Sequence, residues 1–125
     1  MRKAIDRPGV STPLPFSMAV EASGRLLFVS GQGPVDPVSG QFVVESFEQQ
    51  VRLTLDNVKA VVEAGGGDLS RTVKVNAYLR DMTDFPAFNE IYRTYFPEPR
   101  PARTTVQSDL SGFDIEIDAV VALDD

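Results

Sequence analysis

The stretch PARTTVQSDLSGFDIEIDAVVAL, residues 101–123, holds the side chains best suited to chemistry: Arg103, then Asp114, Glu116 and Asp118 at alternate positions. The chain has no histidine and no cysteine. Without cysteine there are no disulfides, thiolate nucleophiles or cysteine zinc sites. Without histidine the usual neutral-pH base and the commonest metal ligand are missing. Chemistry is left to carboxylates, lysine or arginine, hydroxyls and backbone groups. Strand alternation puts Arg103, Thr105 and Gln107 on one side of a first strand, opposite Ala102, Thr104 and Val106. In a second strand Asp114, Glu116 and Asp118 share a side opposite Ile115, Ile117 and Ala119. Two readings follow. The charges form a solvated hairpin face with cross-strand arginine–acid pairs, each contributing ~0.2–1 kcal/mol. Alternatively they form a carboxylate clamp with a water-activating acid, since the planar guanidinium meets a carboxylate through two parallel hydrogen bonds. By residue type the solvated face is the commoner arrangement, because Arg, Asp and Glu are mostly exposed.

The elements around these residues suit one domain. A chain of 125 residues with 42% hydrophobic content buries roughly two-thirds of its unfolded surface and has no room for a second core. The formal charge of −6 disfavours a general phosphate-binding footprint, so no nucleic-acid partner is expected. The start, MRKAIDRPGV, lacks the apolar stretch of a secretory signal, and no run approaches the ~20 apolar residues that span a bilayer. A soluble, cytoplasmic protein is expected.

Pro8, Pro13 and Pro15 predict an extended, irregular segment over residues 1–15, its irregular N-terminal part covering 1–12. FSMAVEASGRLLFVSGQ has the pattern of a hairpin turning at ASGR, followed by a Gly- and Pro-rich loop and a short strand at 42–44. Phe47, Val51, Leu55, Val58 and Val62 recur at helical spacing, with Ser46 and Gln49 as a capping box and Gly65 at the left-handed C′ position. TVKVNAYL, residues 72–79, alternates with Val73, Val75, Ala77 and Leu79 inward. A second helix follows Thr83, bearing Phe85, Phe88, Tyr92 and Tyr95, with Pro86 tolerated in its first turn. The order ββ(β)αβαββ implies an α+β domain with two helices on one face of a mixed sheet. The other face, with Thr72, Lys74, Asn76 and Tyr78, is polar enough for water and mixed enough for a partner subunit.

Three stretches together carry a resemblance: FVSGQGPVDPVSGQ; QQVRLTLDNVKAVVEAGGGDLSRTVKVNAYLRDMTDFPAFNEIYRTYF; and PARTTV followed by DIEIDAVV. Over residues 13–123 the chain resembles the RidA (YjgF-type) family of reactive-intermediate deaminases. Ser30-Gly31-Gln32, DMTDFPAFNEIY and Pro101-Ala102-Arg103 followed by Glu116 are its most specific parts. The resemblance implies a chorismate-mutase-like subunit in a homotrimer with pockets at the subunit clefts. It also implies hydrolysis of enamines and imines of the 2-aminoacrylate or 2-iminopropanoate type to 2-keto acids and ammonia, with no cofactor or metal. Matched by position, Arg103 holds the substrate carboxylate and Glu116 activates water. Ser30 and the backbone of Gly31 line the pocket loop, Asn89 is the helix asparagine, and Thr105 stands where many members have cysteine. Phe16 replaces a tyrosine that many members carry, and can wall a pocket but not donate a hydrogen bond. The ASGR turn is one residue longer than the family pattern.

This chemistry suits the residue inventory. A protonated imine is already electrophilic, so its hydrolysis needs a positioned water and a modest base. Two other functions fit the same resemblance: a binding or regulatory module that holds a keto acid without turnover, and a ribonuclease or translation inhibitor, against which the acidic charge argues.

Overall fold

Helix formation starts at Ser46, where both bonds of the capping box are made. The Gln49 N–H donates to the Ser46 hydroxyl at 3.2 Å and the Ser46 N–H to the Gln49 side-chain oxygen at 3.3 Å. The computed structural model describes residues 1–10 and 12–124; residue 11, part of the segment expected to be irregular, and residue 125 lie outside the described residues. Helix α1 spans Phe47–Ala64 and buries Val51, Leu55, Val58 and Val62, as their spacing predicts, with Phe47 packed at the edge of the core. Its end differs from expectation by one residue. Gly65 has an ordinary φ of −83°, and the left-handed position falls on Gly66 at +85°. Helix α2, Phe85–Tyr95, is entered through a 3-10 turn, Met82–Asp84, whose start is capped by Asp81.

Among the described residues there are six strands: β1 (Arg2–Ile5), β2 (Ala19–Ala22), β3 (Leu26–Gln32), β4 (Thr72–Leu79), β5 (Ala102–Gln107) and β6 (Ile115–Ala122). The main sheet has the order β3-β6-β4-β5, with β4 and β5 parallel and the other pairs antiparallel. Both helices pack on one face of this mixed sheet. Val51, Leu55, Phe88 and Tyr92 meet Val75, Ala77, Ile115, Ile117 and Val121 in one core.

Several strand expectations are corrected. Residues 2–5 are a strand, not an irregular segment: they precede the prolines, pair antiparallel with β2, and are anchored by the Arg2 Nε–H to the Thr72 carbonyl at 2.7 Å. β2 and β3 do not form a hairpin. The chain turns at Gly24, with a φ of +92°, and β2 joins β1 while β3 joins β6. Residues 42–44 add no strand, because the loop closes on itself through a single Val35–Phe42 bridge and the Val43 N–H to the Pro34 carbonyl at 2.8 Å. A bulge between Thr72 and Lys74 turns Thr72 into the core and leaves Val73 half-buried.

The largest correction concerns the last two strands. β5 and β6 are not a hairpin, because β4 lies between them. β6 buries Ile115, Ile117 and Ala119 at alternate positions, ends in the apolar run Ala119–Ala122 and takes a central place, whereas β5, ARTTVQ, follows Pro101 and takes the edge, where polar side chains and an unpaired ladder are tolerated. Among the described residues Arg103 makes no cross-strand pair with the acids.

Candidate active site

Arg103 is set by the register of β5. It pairs with Val75, and Thr105 with Ala77, so both point to the helix-covered face with those core residues. Arg103 is only 8% exposed. Its Nη2–H donates to the Asn89 side-chain oxygen at 2.8 Å, and Asn89 itself is buried on α2. Aromatic rings surround the cation, at 4.7 Å for Tyr92, 5.0 Å for Phe88, 5.5 Å for Phe16 and 5.6 Å for Phe85. Ring faces attract a cation but accept no strong hydrogen bond. Among the described residues the Arg103 Nε and Nη1, the Thr105 hydroxyl and the Tyr92 hydroxyl are buried without a hydrogen-bond partner. Burial lowers the Arg103 pKa, with the Tyr92 phenol opposing the shift and Arg93 adding to it. Buried unpaired donors cost about 1–3 kcal/mol each, so this half of the site favours an anionic acceptor.

Phe16 reaches the cation because its neighbour is stitched to the start of β5. The Ser17 N–H donates to the Pro101 carbonyl at 3.0 Å and the Ser17 hydroxyl to the Arg100 carbonyl at 2.5 Å. On the side of Phe16 that also meets Leu14, Met18, Arg93 and Arg100 lies a cavity of about 680 Å³, whose lining includes neither Arg103 nor Glu116.

Glu116 belongs to the opposite face. It stands between Ile115 and Ile117, both buried under the helices, and pairs with Tyr78 on the sheet surface that the helices leave open. Gly31 of β3 is its neighbour: a Cβ there would lie 2.7 Å from the Glu116 Oε2, so the absence of a side chain lets the carboxyl lie on the backbone. Ser30 and Gly31 fall within the register shift between Val29 and Gln32, and both are exposed. Among the described residues Glu116 accepts no hydrogen bond and joins no ion pair. Its sequence companions do have partners. Asp118 accepts from Asn76 at 2.9 Å and from the Tyr78 hydroxyl at 3.0 Å, and this bond is the main cause of a raised Tyr78 pKa. Asp114 accepts from Gln50 of α1 at 3.0 Å and returns its own N–H at 2.9 Å.

The structure therefore gathers Arg103, Asn89, Phe16 and Thr105 on one face, and Gly31, Ser30 and Glu116 on the other. The sequence pattern placed Phe85, Phe88 and Tyr92 on one helix and gave them no part in the site; in the structure they pack on the core. Their second role, enclosing the guanidinium, required knowing that β5 lies beside β4 with Arg103 turned inward. Among the described residues no three Asp or Glu side chains gather as a cation site, and no helix is long and apolar enough to cross a membrane.

Residues 6–123 match the model of the family described as Endoribonuclease L-PSP. The chain belongs to this family, the YjgF/RidA or Rid family. Its Rid relatives include a RutC family protein of Pyrococcus horikoshii, 41% identical over 123 residues that cover 96% of this chain and 97% of the relative. Another is Reactive Intermediate Deaminase A, chloroplastic, of Arabidopsis thaliana, 44% identical over 93 residues, which are 74% of this chain and 49% of that protein. The crystal structure of RidA from an Antarctic Psychrobacter superposes with a TM-score of 0.74 at 33% identity, covering 90% of this chain and 91% of the other. The two helices on a mixed sheet are thus the Rid fold.

Proposed function

We propose that this Rid protein hydrolyses reactive imines and enamines of small 2-amino acids to 2-keto acids and ammonia. The observation that carries the reading is Arg103: a cation buried among aromatic rings with two donors free. A substrate carboxylate satisfies them. Support also comes from family membership and from the relative named as a deaminase.

One subunit cannot close such a site, because Arg103 and Glu116 point to opposite faces of one sheet. The proposal therefore sets Arg103, Asn89, Phe16 and Thr105 of one subunit against Ser30, Gly31 and Glu116 of the next, in a homotrimer. The Arg103 guanidinium fixes the carboxylate and so aims the imine carbon. An enamine first takes a proton at its β-carbon to become the iminium. Water then adds to the iminium carbon while the Glu116 carboxylate takes its proton, a contribution of about 10²–10⁴-fold. The carbinolamine nitrogen is protonated and leaves as ammonia as the C–N bond breaks and the carbonyl forms. The reaction consumes one water, involves no change of oxidation state, and is written without a metal or cofactor. Action in the cytoplasm on free metabolites belongs to the same reading. RNA is not the proposed substrate, since a formal charge of −6 gives no basic footprint.

The test is an amino-acid oxidase reaction that releases an imine in the presence of semicarbazide. Added protein is expected to lower the trapped semicarbazone by speeding hydrolysis. Unchanged trapping across several parent amino acids, with 2-keto acids still bound, would leave a carboxylate-binding module in place of an enzyme. That second reading is favoured only by Phe16, which lacks the hydroxyl that a tyrosine would bring to the pocket.

A further inference from the structure

Next to Glu116 along the same ribbon lies a pair of aromatic rings that the proposed hydrolysis does not use. Phe42 and Phe113 stack with centroids 4.5 Å apart and planes 11° from parallel. They touch the main chain at Gly33, where a Cβ would lie 3.3 Å from the Phe42 ring and 3.6 Å from the Phe113 ring. Gly31, two residues earlier, meets the Glu116 carboxyl in the same way. Gly31 lies in β3 and Gly33 one residue past its end, so at most about 7 Å of chain separates the contact with the carboxyl from the contact with the rings, and neither glycine puts a side chain between them.

The stack is held open. Phe42 is 48% exposed. Helix α1 fixes both loops that carry the rings. Asn57 donates to the carbonyls of Gly33 at 3.0 Å and Val35 at 2.9 Å, and Val35 bridges Phe42. Gln50 makes its paired bonds to Asp114, the residue after Phe113. An aromatic pair so anchored, half in water and beside a free carboxylate, is a preformed apolar surface of the kind that lines ligand pockets.

We propose that Phe42 and Phe113 form the side-chain subsite of the candidate site, so that the preferred substrates are imines carrying a bulky apolar or aromatic side chain. The inference rests on the proposed hydrolysis, in which the imine carbon sits beside Glu116. A benzyl or isobutyl group on that carbon extends along the glycine floor and lies against the rings, whereas a methyl group does not reach them.

Binding of pyruvate, 4-methyl-2-oxopentanoate and phenylpyruvate to the full chain, measured by calorimetry, tests this without turnover. The unaltered protein is expected to bind the two larger acids at least about 10-fold more tightly than pyruvate, the scale of hydrophobic-pocket discrimination. Phe42→Ala should reduce that ratio to near unity. Phe42→Leu and Phe113→Leu keep apolar bulk and fold, and should weaken phenylpyruvate relative to 4-methyl-2-oxopentanoate. A ratio that is flat in the unaltered protein, or unmoved in the leucine variants, overturns the subsite and leaves the hydrolysis standing. If no keto acid binds at all, both readings fall.

Discussion

The two faces of the main sheet treat their charges in opposite ways. On the helix-covered face Arg103 is enclosed by four rings, donates one bond to Asn89, and keeps two donors without a partner. On the open face Glu116 lies at a surface shared with Phe28, which is 73% exposed, and with a linked polar set of Asn76, Tyr78 and Asp118. The first arrangement is costly in the free protein and favours whatever anion arrives. The second is cheap, since a surface carboxylate keeps its water. In the proposed reaction the binding determinant and the proton acceptor are thus separated by the thickness of one sheet, and that proposal needs association of copies to bring them together. The exposed apolar side chains on the open face, Phe28 and Val106 among them, suit such association.

The largest effect should come from Arg103. Arg103→Ala removes the anion's partner and is expected to weaken keto-acid binding by roughly 2–5 kcal/mol, or about 30-fold or more. Arg103→Met tells the two faces apart more sharply. Methionine fills the aromatic cage without a charge or free donors, so the ligand-free protein should become more stable, by about 1 kcal/mol or more, while binding is lost. The checks are a urea unfolding curve and calorimetry on the same variant. A destabilised Arg103→Met protein would mean that the cation is held for structure, and the contrast between the faces would fail.

Glu116 should give the next effect and a different signature. Glu116→Gln keeps the shape beside Gly31 but cannot take a proton from water, so turnover should fall by about 10²–10⁴-fold with keto-acid affinity little changed. Equal losses in both measurements would merge the two halves into one binding site.

These contrasts were unevenly legible in the sequence. Local patterns translated directly: the Ser46–Gln49 capping box, the apolar stripe of α1 and the limits of β4 each depend on residues a few positions apart. Pairing did not, because strand partners are chosen over the whole chain. Alternation correctly separates Arg103 from Ala102 and Glu116 from Ile117 within their own strands, but it is silent on how one strand's sides relate to another's. The hairpin reading therefore put arginine and acids on one wet face, whereas insertion of β4 between β5 and β6 left them on opposite faces. The bulge at Thr72–Lys74 hid in the same way, since an extra residue in a ladder leaves no mark in an alternating sequence. Arg103 and Glu116 stood out by residue type, Ser30, Gly31, Asn89, Thr105 and Phe16 came from the family pattern, and the other three rings of the cage, Phe85, Phe88 and Tyr92, came from neither source.

The smallest effect uses the tyrosines, which sample both faces. The chain has three, so phenolate absorbance can be assigned by single Tyr→Phe variants. Burial is the main cause pushing the Tyr92 phenol far above its ordinary range, although Arg103, Arg100 and Arg2 pull the other way. On the open face Tyr78 is raised chiefly by its bond to Asp118. Tyr95, at the end of α2, is pushed up to about 12 by burial and by its 2.7 Å bond to Asp56. A phenol whose folded pKa exceeds the unfolded value of about 10 stabilises the fold fully below pH 10, and that contribution disappears as pH climbs through the folded value. Stability should thus be flat with respect to these groups below pH 10 and fall above it. Tyr78 and Tyr95 should ionise in the folded protein, and Tyr92 only as the protein unfolds. Tyr92→Phe should make that alkaline fall shallower. An early, reversible Tyr92 phenolate would mean that the space around Arg103 is wet, and the free donors would then be bonded to water instead of waiting for a ligand.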